Sequence, residues 1–287
     1  MKIAFIDKKE ALVSVENKTL KVDSQKIPLR LLDTIVMASS CRLESRDIVK
    51  ITKEGITLLL LSGRGDEVSI VQSATSKNAE LKLAQYQAQS RALEIAQYFV
   101  AKKVKSHAEQ LRKHEVVLDI FEVLESIENT QSINELLGIE GSFSRLYFSN
   151  YFSLFSKRLH HGKRSKKPPQ DPVNAMMSFY YMMTYNLITI RLLSYGFEPS
   201  IGFLHKPFRS HNAFSSDLME LFRADINEFV FKLFDEKLLE SSDFSRKNGV
   251  FLKYEARKKI WSEYKEFLQT LEPKIDSTIA HIRAIIW

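Results

Sequence analysis

ITLLLLSGRGDEVSIVQSATSKNAELKLAQYQAQ, residues 56–89, is where the chain changes its structural period. Residues 56–61 form an apolar run too short for an ordinary helix, and it ends at Gly63-Arg64-Gly65-Asp66. That turn chemistry sends the chain back into a second strand at 68–71, so the RGD tripeptide reads as part of a hairpin. From Leu81 the period is helical. Leu81, Ala84, Ala88, Ala92, Ile95 and Phe99 fall on one stripe of a long amphipathic helix. The boundary lies near residue 75.

Upstream of that boundary the segments 3–6, 12–15, 20–22 and 34–37 are short, β-rich and separated by polar residues. A single helix is predicted over 45–54, opened by a Ser cap and stopped by Gly55. Downstream only helical periods remain. Leu111, Leu118, Phe121 and Leu124 carry a second helix. Ser132-Ile-Asn-Glu135 is a capping box opening a third, which runs to about Phe155. Asp171-Pro172 supplies an N-cap and first-turn proline for a fourth, ending before Gly196. A fifth covers 213–238, with further helical stretches at 254–271 and 275–286. The fold class is therefore α+β and multidomain: a small β-rich N-terminal domain, 1–75, and a larger all-α domain, 76–287.

The chain has 287 residues, 44% of them apolar and 27% charged, which suits an ordinary globular core. One cysteine, Cys41, excludes an internal disulfide and a cysteine zinc cage. The start MKIAFIDKKE meets charge too soon for a signal-peptide core, and no apolar run approaches a membrane span. A soluble, cytoplasmic protein without a membrane contact is expected. Net charge is +7, and six basic residues fall between Lys157 and Lys167 with no acid among them. Lys163, Arg164, Lys166 and Lys167 form the densest part of this loop. Such a loop is either a footprint for the phosphates of a polyanion or a solvated surface.

Phosphate loops, dinucleotide fingerprints, H-E-x-x-H and G-x-S-x-G elbows are all missing. What remains is a set of carboxylates and one histidine. Glu140, in LLGIEG, lies in the third turn of its helix on a stripe with Leu136, Leu137, Phe143 and Tyr147. A carboxylate there needs a cation or several donors, either Arg145 or another core arginine, or a metal. Gly138 and Gly141 flank it at about 1 kcal/mol each relative to Ala, which suggests a close approach to the helix. Asp217 and Glu220 share a helix face at i and i+3. They form a capping box if the helix starts at Asp217, and a candidate acid pair if it starts near Ser210 or Asn212. His205 ends the preceding loop. One imidazole with two or three carboxylates suits Mg²⁺ or Mn²⁺ better than a thiolate-type zinc site. The aromatic run from Phe143 to Phe155 has the spacing of a core stripe, with Tyr147 kept as a candidate for DNA contact.

LLGIEG, the basic loop, KPPQDPVNAMMSF (167–179), GFEPSIGFLH (196–205) and DLMELFR (217–223) occur in this order. This succession resembles the CRISPR-associated DNA integrase and endonuclease family of spacer acquisition, over roughly 135–230. The resemblance implies a metal-dependent enzyme that inserts short double-stranded DNA fragments into CRISPR repeat DNA, by 3′-hydroxyl attack on a phosphodiester. It implies Glu140, His205 and Glu220 as catalytic metal ligands, with Asp217 a ligand or beside the site. Arg145, Tyr147 and Asn174, together with the loop residues, would contact DNA. It further implies a homodimer formed partly through the β-domain and a small ferredoxin-like adaptation partner protein. Ala224 departs from the family, which often has proline there, and residues 206–214 do not match closely. Two rivals remain: a branched-DNA nuclease with the same site, and a non-catalytic helical scaffold that binds nucleic acid.

Overall fold

A computed structural model describes residues 3–61, 68–74, 78–207 and 211–287. The expected turn at Gly63 to Asp66, the boundary at residue 75 and the candidate helix start at Ser210 lie outside the described residues. Two compact units divide between Lys77 and Asn78.

Among the described residues the first unit holds eight strands, β1 (Ile3–Ile6), β2 (Leu12–Glu16), β3 (Thr19–Val22), β4 (Gln25–Pro28), β5 (Thr34–Met37), β6 (Arg42–Leu43), β7 (Thr57–Leu61) and β8 (Val68–Val71). Helix α1 (Ser45–Lys53) precedes β7. One sheet has the order β1-β5-β7-β8, with β1, β5 and β7 parallel and β8 antiparallel to β7. The other runs β4-β3-β2-β6. Every residue of β5 is buried, as a parallel strand covered on both faces requires. Ile6, Val13, Leu20, Ile35, Ile51 and Leu58 form the centre of the core. Each contributes roughly 1.5–3 kcal/mol by burial. Strands β4 and β6 were not expected from the sequence, because Gln25-Lys26 and a two-residue strand carry no alternation to read. Helix α1 is capped by Glu44 without a side-chain hydrogen bond rather than by Ser45, and Gly55 takes φ 82° to end it.

The second unit carries α2 (Ala79–Gln87), α3 (Ala92–Arg112), α4 (Phe121–Asn129), α5 (Ile133–Ser153), α6 (Pro172–Tyr195), α7 (Ala213–Glu220) and α8 (Arg223–Asp235). A short hairpin, β9 (Phe244–Ser245) and β10 (Phe251–Leu252), leads to α9 (Tyr254–Arg257) and α10 (Trp261–Ile286). Helix α6 is central and packs on α7, α8 and α10. Its ends follow the sequence reading: Asp171 accepts from Asn174 N–H at 2.8 Å, and Gly196 closes it at φ 97°.

Several expected helices divide differently: the 81–99 stripe is split into α2 and α3 by a 3-10 turn at Ala88–Arg91, and the expected second helix is not continuous, since Leu111 lies in α3 and Leu118 precedes α4. The single helix at 213–238 breaks at Leu221-Phe222, so Glu220 ends α7 and Arg223 opens α8. No glycine or proline marks that break. Position 224 consequently lies in the first turn of α8, where a proline is tolerated. Conversely, α10 runs unbroken through Pro273, because buried Leu271, Ile275, Ile279 and Ile282 hold both sides of the ring in place.

Candidate active site

Helix α3 packs against α5, α7 and α8, and the charged groups gather where the four meet. The register of α5 is set at its start, where Ser132 Oγ accepts from Glu135 N–H (3.2 Å) and Glu135 accepts from Gln131 N–H (3.1 Å). Glu140 follows two turns later. Its Oε1 accepts hydrogen bonds from the Lys103 ammonium and from Ser144 Oγ at 2.7 Å. Arg145 instead bonds Ser142, so the cation partner of Glu140 is a lysine from another helix. A methyl added at Gly138 or Gly141 would meet nothing within 4 Å. The close approach expected there is therefore not made among the described residues.

Glu220 is buried at the end of α7. Its Oε1 pairs with Arg223 at 2.8 Å, and Oε2 lies 2.6 Å from Lys103 Nζ. Each oxygen of Glu220 therefore faces a cation, Oε1 the Arg223 guanidinium and Oε2 the Lys103 ammonium. Burial pushes this carboxyl up, but the charges of Arg223 and Lys103 outweigh it and hold it well below the usual carboxylate range. Lys103 thus sits between two carboxylates from different helices, with its side chain only 5% exposed. Beneath it the ring of His107 is kept neutral, with its pKa pushed down to about 3 by burial and then by the charge of Lys103.

Asp217 is 0% exposed and uses all its acceptor positions on one loop. Oδ2 accepts from Phe203 N–H (2.5 Å) and Leu204 N–H (3.0 Å). Oδ1 accepts from His205 N–H (2.9 Å) and from the ring Nδ1 of His205 (2.7 Å). Burial lowers the pKa of His205, but the hydrogen bond and charge of Asp217 outweigh it and raise the value overall. Helix α7 begins after Asn212, so Asp217 lies inside it and the capping-box reading is excluded. Four donors on one carboxylate fit the position beside the site rather than direct ligation. Gly202 makes this loop possible, since a Cβ there would lie 2.6 Å from Asp217 Oδ2 and 2.8 Å from the backbone of Ala213. Gly202→Ala is expected to lower stability by about 1–3 kcal/mol, the usual range for overpacking, read as the midpoint of a urea melt. An unchanged midpoint would mean the loop does not need this approach.

Three residues expected to contact DNA are engaged within the chain itself. Tyr147 is 0% exposed, donating to Gln110 Oε1 (2.9 Å) and accepting from Asn227 Nδ2 (2.8 Å); it belongs to the core. Asn174 is buried too. Its amide bonds the Lys163 carbonyl and Asp171, and its oxygen accepts from Arg164 and Ser165 N–H. It is the anchor of the basic loop. Arg164 is tied inward, bonding Asn174 (2.8 Å) and Ser178 (3.0 Å) with its guanidinium 5.5 Å from the ring centre of Tyr181. Arg223 lies over the same ring at 4.6 Å. Lys163, Lys166, Lys167 and Arg145 remain exposed.

The sequence reading missed Lys103 and gave Arg223 no role. Lys103 carried a readable signal, since it is a charged residue on the same helical stripe as the apolar Ile95, Ala96, Phe99, Val100 and Val104. Among the described residues no three His, Cys, Asp or Glu side chains converge as a metal cluster. The pair Glu140 and Glu220 nevertheless fits a hard cation, since the two carboxylates already share one, the Lys103 ammonium.

A family model described as CRISPR associated protein Cas1 matches residues 3–266. A curated relative, the CRISPR-associated endonuclease Cas1 1 of Thermodesulfovibrio yellowstonii, is 30% identical over 292 aligned positions, covering 94% of this chain and 92% of that protein. The structure is similar to that of a Cas1 protein from Thermotoga maritima, with a TM-score of 0.89 and 19% identity over 100% of this chain and 97% of that one. It is also similar to a casposase bound to integration product, with a TM-score of 0.77 and 24% identity over 93% and 83% of the two chains.

Proposed function

The chain belongs to the CRISPR-associated Cas1 family, and from that premise we propose that it is a divalent-metal-dependent DNA integrase and endonuclease. In this reading it inserts short DNA fragments into CRISPR repeat DNA. The observation that carries it is the pair of carboxylates, Glu140 and Glu220, brought from two helices onto one shared cation. Glu140 and Glu220 would hold Mg²⁺ or Mn²⁺, and His205 would complete the set through Nε2, since Nδ1 is committed to Asp217. A divalent ion bound there supplies Lewis-acid polarisation of a phosphate and orientation for an in-line oxygen nucleophile.

The chain's own residues supply the rest. Arg164, Lys166 and Arg223 act on one another's charge, and Lys166 and Arg223 also on that of Glu220, so cations stand beside the carboxylates. Cations so placed favour a phosphodiester and the charge that develops on it as the fragment's 3′-hydroxyl attacks. No protein nucleophile is needed, in keeping with the missing serine and cysteine signatures. Asp217 holds the His205 ring and backbone in one orientation. The open face at Gly138 and Gly141 beside Glu140 leaves room for a DNA backbone. Homodimerisation through the 1–75 unit and a small ferredoxin-like partner protein belong to the same proposal.

The test is a Mn²⁺ titration with labelled 3′-hydroxyl fragments and repeat-bearing plasmid, alongside a branched duplex, with and without a co-expressed small partner. Joined product that depends on metal is expected. Cleavage of the branched duplex without joining would favour the plain nuclease, and DNA binding with no product at any metal concentration would favour the scaffold.

The loop adds a separate expectation. With Arg164 tied inward, the cations free for duplex phosphates in the densest part of the loop are Lys163, Lys166 and Lys167. Neutralising these three should lower the log–log salt slope of duplex binding by up to about 2.7, at roughly 0.9 per phosphate contact. A slope unchanged within error in a binding titration would place the DNA elsewhere.

A further inference from the structure

Lys103 stands where the stripe of α3 calls for an apolar side chain, among buried Phe99, Val100 and Val104. A buried ammonium is tolerated only when it is paired, and this one is paired twice. Its Nζ bonds Glu140 Oε1 and lies 2.6 Å from Glu220 Oε2. The two carboxylates depend on it unequally. Glu220 has Arg223 as a second cation, whereas the other partner of Glu140 is the neutral hydroxyl of Ser144. Without Lys103, α5 and α7 would bring like charges together with one cation to the side of the pair. A divalent ion held by Glu140 and Glu220 needs the place that the ammonium fills, and two cations cannot share it without strong repulsion.

We propose that Lys103 is a built-in counter-ion of the metal site: it keeps Glu140 and Glu220 assembled when no metal is bound, and metal entry displaces its ammonium. The proposal rests on the reading of Glu140 and Glu220 as metal ligands. Two consequences follow from charge alone. The lysine competes with the metal and weakens its apparent affinity. It also pre-organises the carboxylates, so the protein folds with the site already formed. Lys103 is in this sense a positioning residue whose effect is read in metal affinity and in metal-free stability.

The experiment measures Mn²⁺ binding, by the electron paramagnetic resonance signal of the free ion, to the wild type, Lys103→Met, Lys103→Gln and Glu140→Gln. Thermal melts of each protein accompany it, with and without Mn²⁺. Glu140→Gln should lose tight Mn²⁺ binding, while both Lys103 variants should bind about tenfold tighter or more, because a competing charge is gone. Metal-free melting of the Lys103 variants should fall, and added Mn²⁺ should raise it by more than in the wild type. Glutamine offers an amide donor to the same carboxylates, so it provides the affinity readout should the methionine variant fail to fold. Unchanged or weaker Mn²⁺ affinity in the Lys103 variants, with Glu140→Gln still defective, would overturn the counter-ion role and leave the metal-site reading standing. Mn²⁺ binding indifferent to Glu140→Gln would overturn both.

Discussion

Glu140→Gln is expected to abolish metal-dependent cleavage and strand transfer while the protein melts close to the wild-type temperature. Glutamine keeps an oxygen for Lys103 and Ser144 but loses the anionic charge a hard cation prefers. A fall on the order of 10²–10³ in strand transfer is expected, the range seen when one preorganised electrostatic group is removed from an active site. The stability effect is small because the Glu140 side chain is 21% exposed and Lys103 retains Glu220 as a partner. Glu220→Gln gives the contrast. It should be equally inactive but destabilised by about 3–5 kcal/mol, because it removes the charge of a buried carboxylate paired with both Lys103 and the half-buried Arg223. That corresponds to roughly 6–20 °C at the usual 2–4 °C per kcal/mol for a domain of this size. Near-normal strand transfer by folded Glu140→Gln at limiting Mn²⁺ would sink the metal assignment.

The difference between these two glutamates marks how far the sequence could be read. Both could be picked out as carboxylates on apolar stripes, and the Ser132 cap placed Glu140 in its helical turn. The fold class followed from the change of period near residue 75, which local alternation and helical spacing are sufficient to show. Long-range facts were not legible. Nothing local says that β1, β5 and β7 run parallel, or that α3 crosses α5 at Lys103. Tyr147 shows the same limit from the other side. Its stripe pointed to the core, but its place behind Glu140 suggested a surface, and the partners that settle it, Gln110 and Asn227, are 37 and 80 residues away. The break after Glu220 was hidden because its residues, Leu221 and Phe222, are ordinary helix formers locally. Family resemblance supplied a role for His205, and the physical reason for its orientation lies in Asp217, twelve residues on.

Asp217→Asn is the second large effect expected, and it separates the two roles open to this residue. Asparagine keeps one acceptor oxygen and turns the other into a donor, facing either Phe203 and Leu204 N–H or the His205 pair. Two donors then lose their acceptor, at roughly 1–3 kcal/mol each, so stability should fall by about 2–6 kcal/mol. Strand transfer per folded molecule should fall as well, because the His205 ring loses the carboxylate that fixes its tautomer and direction. If Asp217 positions His205, excess Mn²⁺ will not restore activity, and adding Asp217→Asn to His205→Ala will cost little further activity, since the two act through one group. If Asp217 binds the metal itself, excess Mn²⁺ should refill a weakened site by mass action and recover part of the activity. The measurement is a strand-transfer double-mutant cycle at limiting and saturating Mn²⁺, normalised to the folded fraction from a melt of each variant. Additive losses with recovery at high Mn²⁺ would make Asp217 a ligand and would require its hydrogen bonds to the 203–205 loop to open when metal binds.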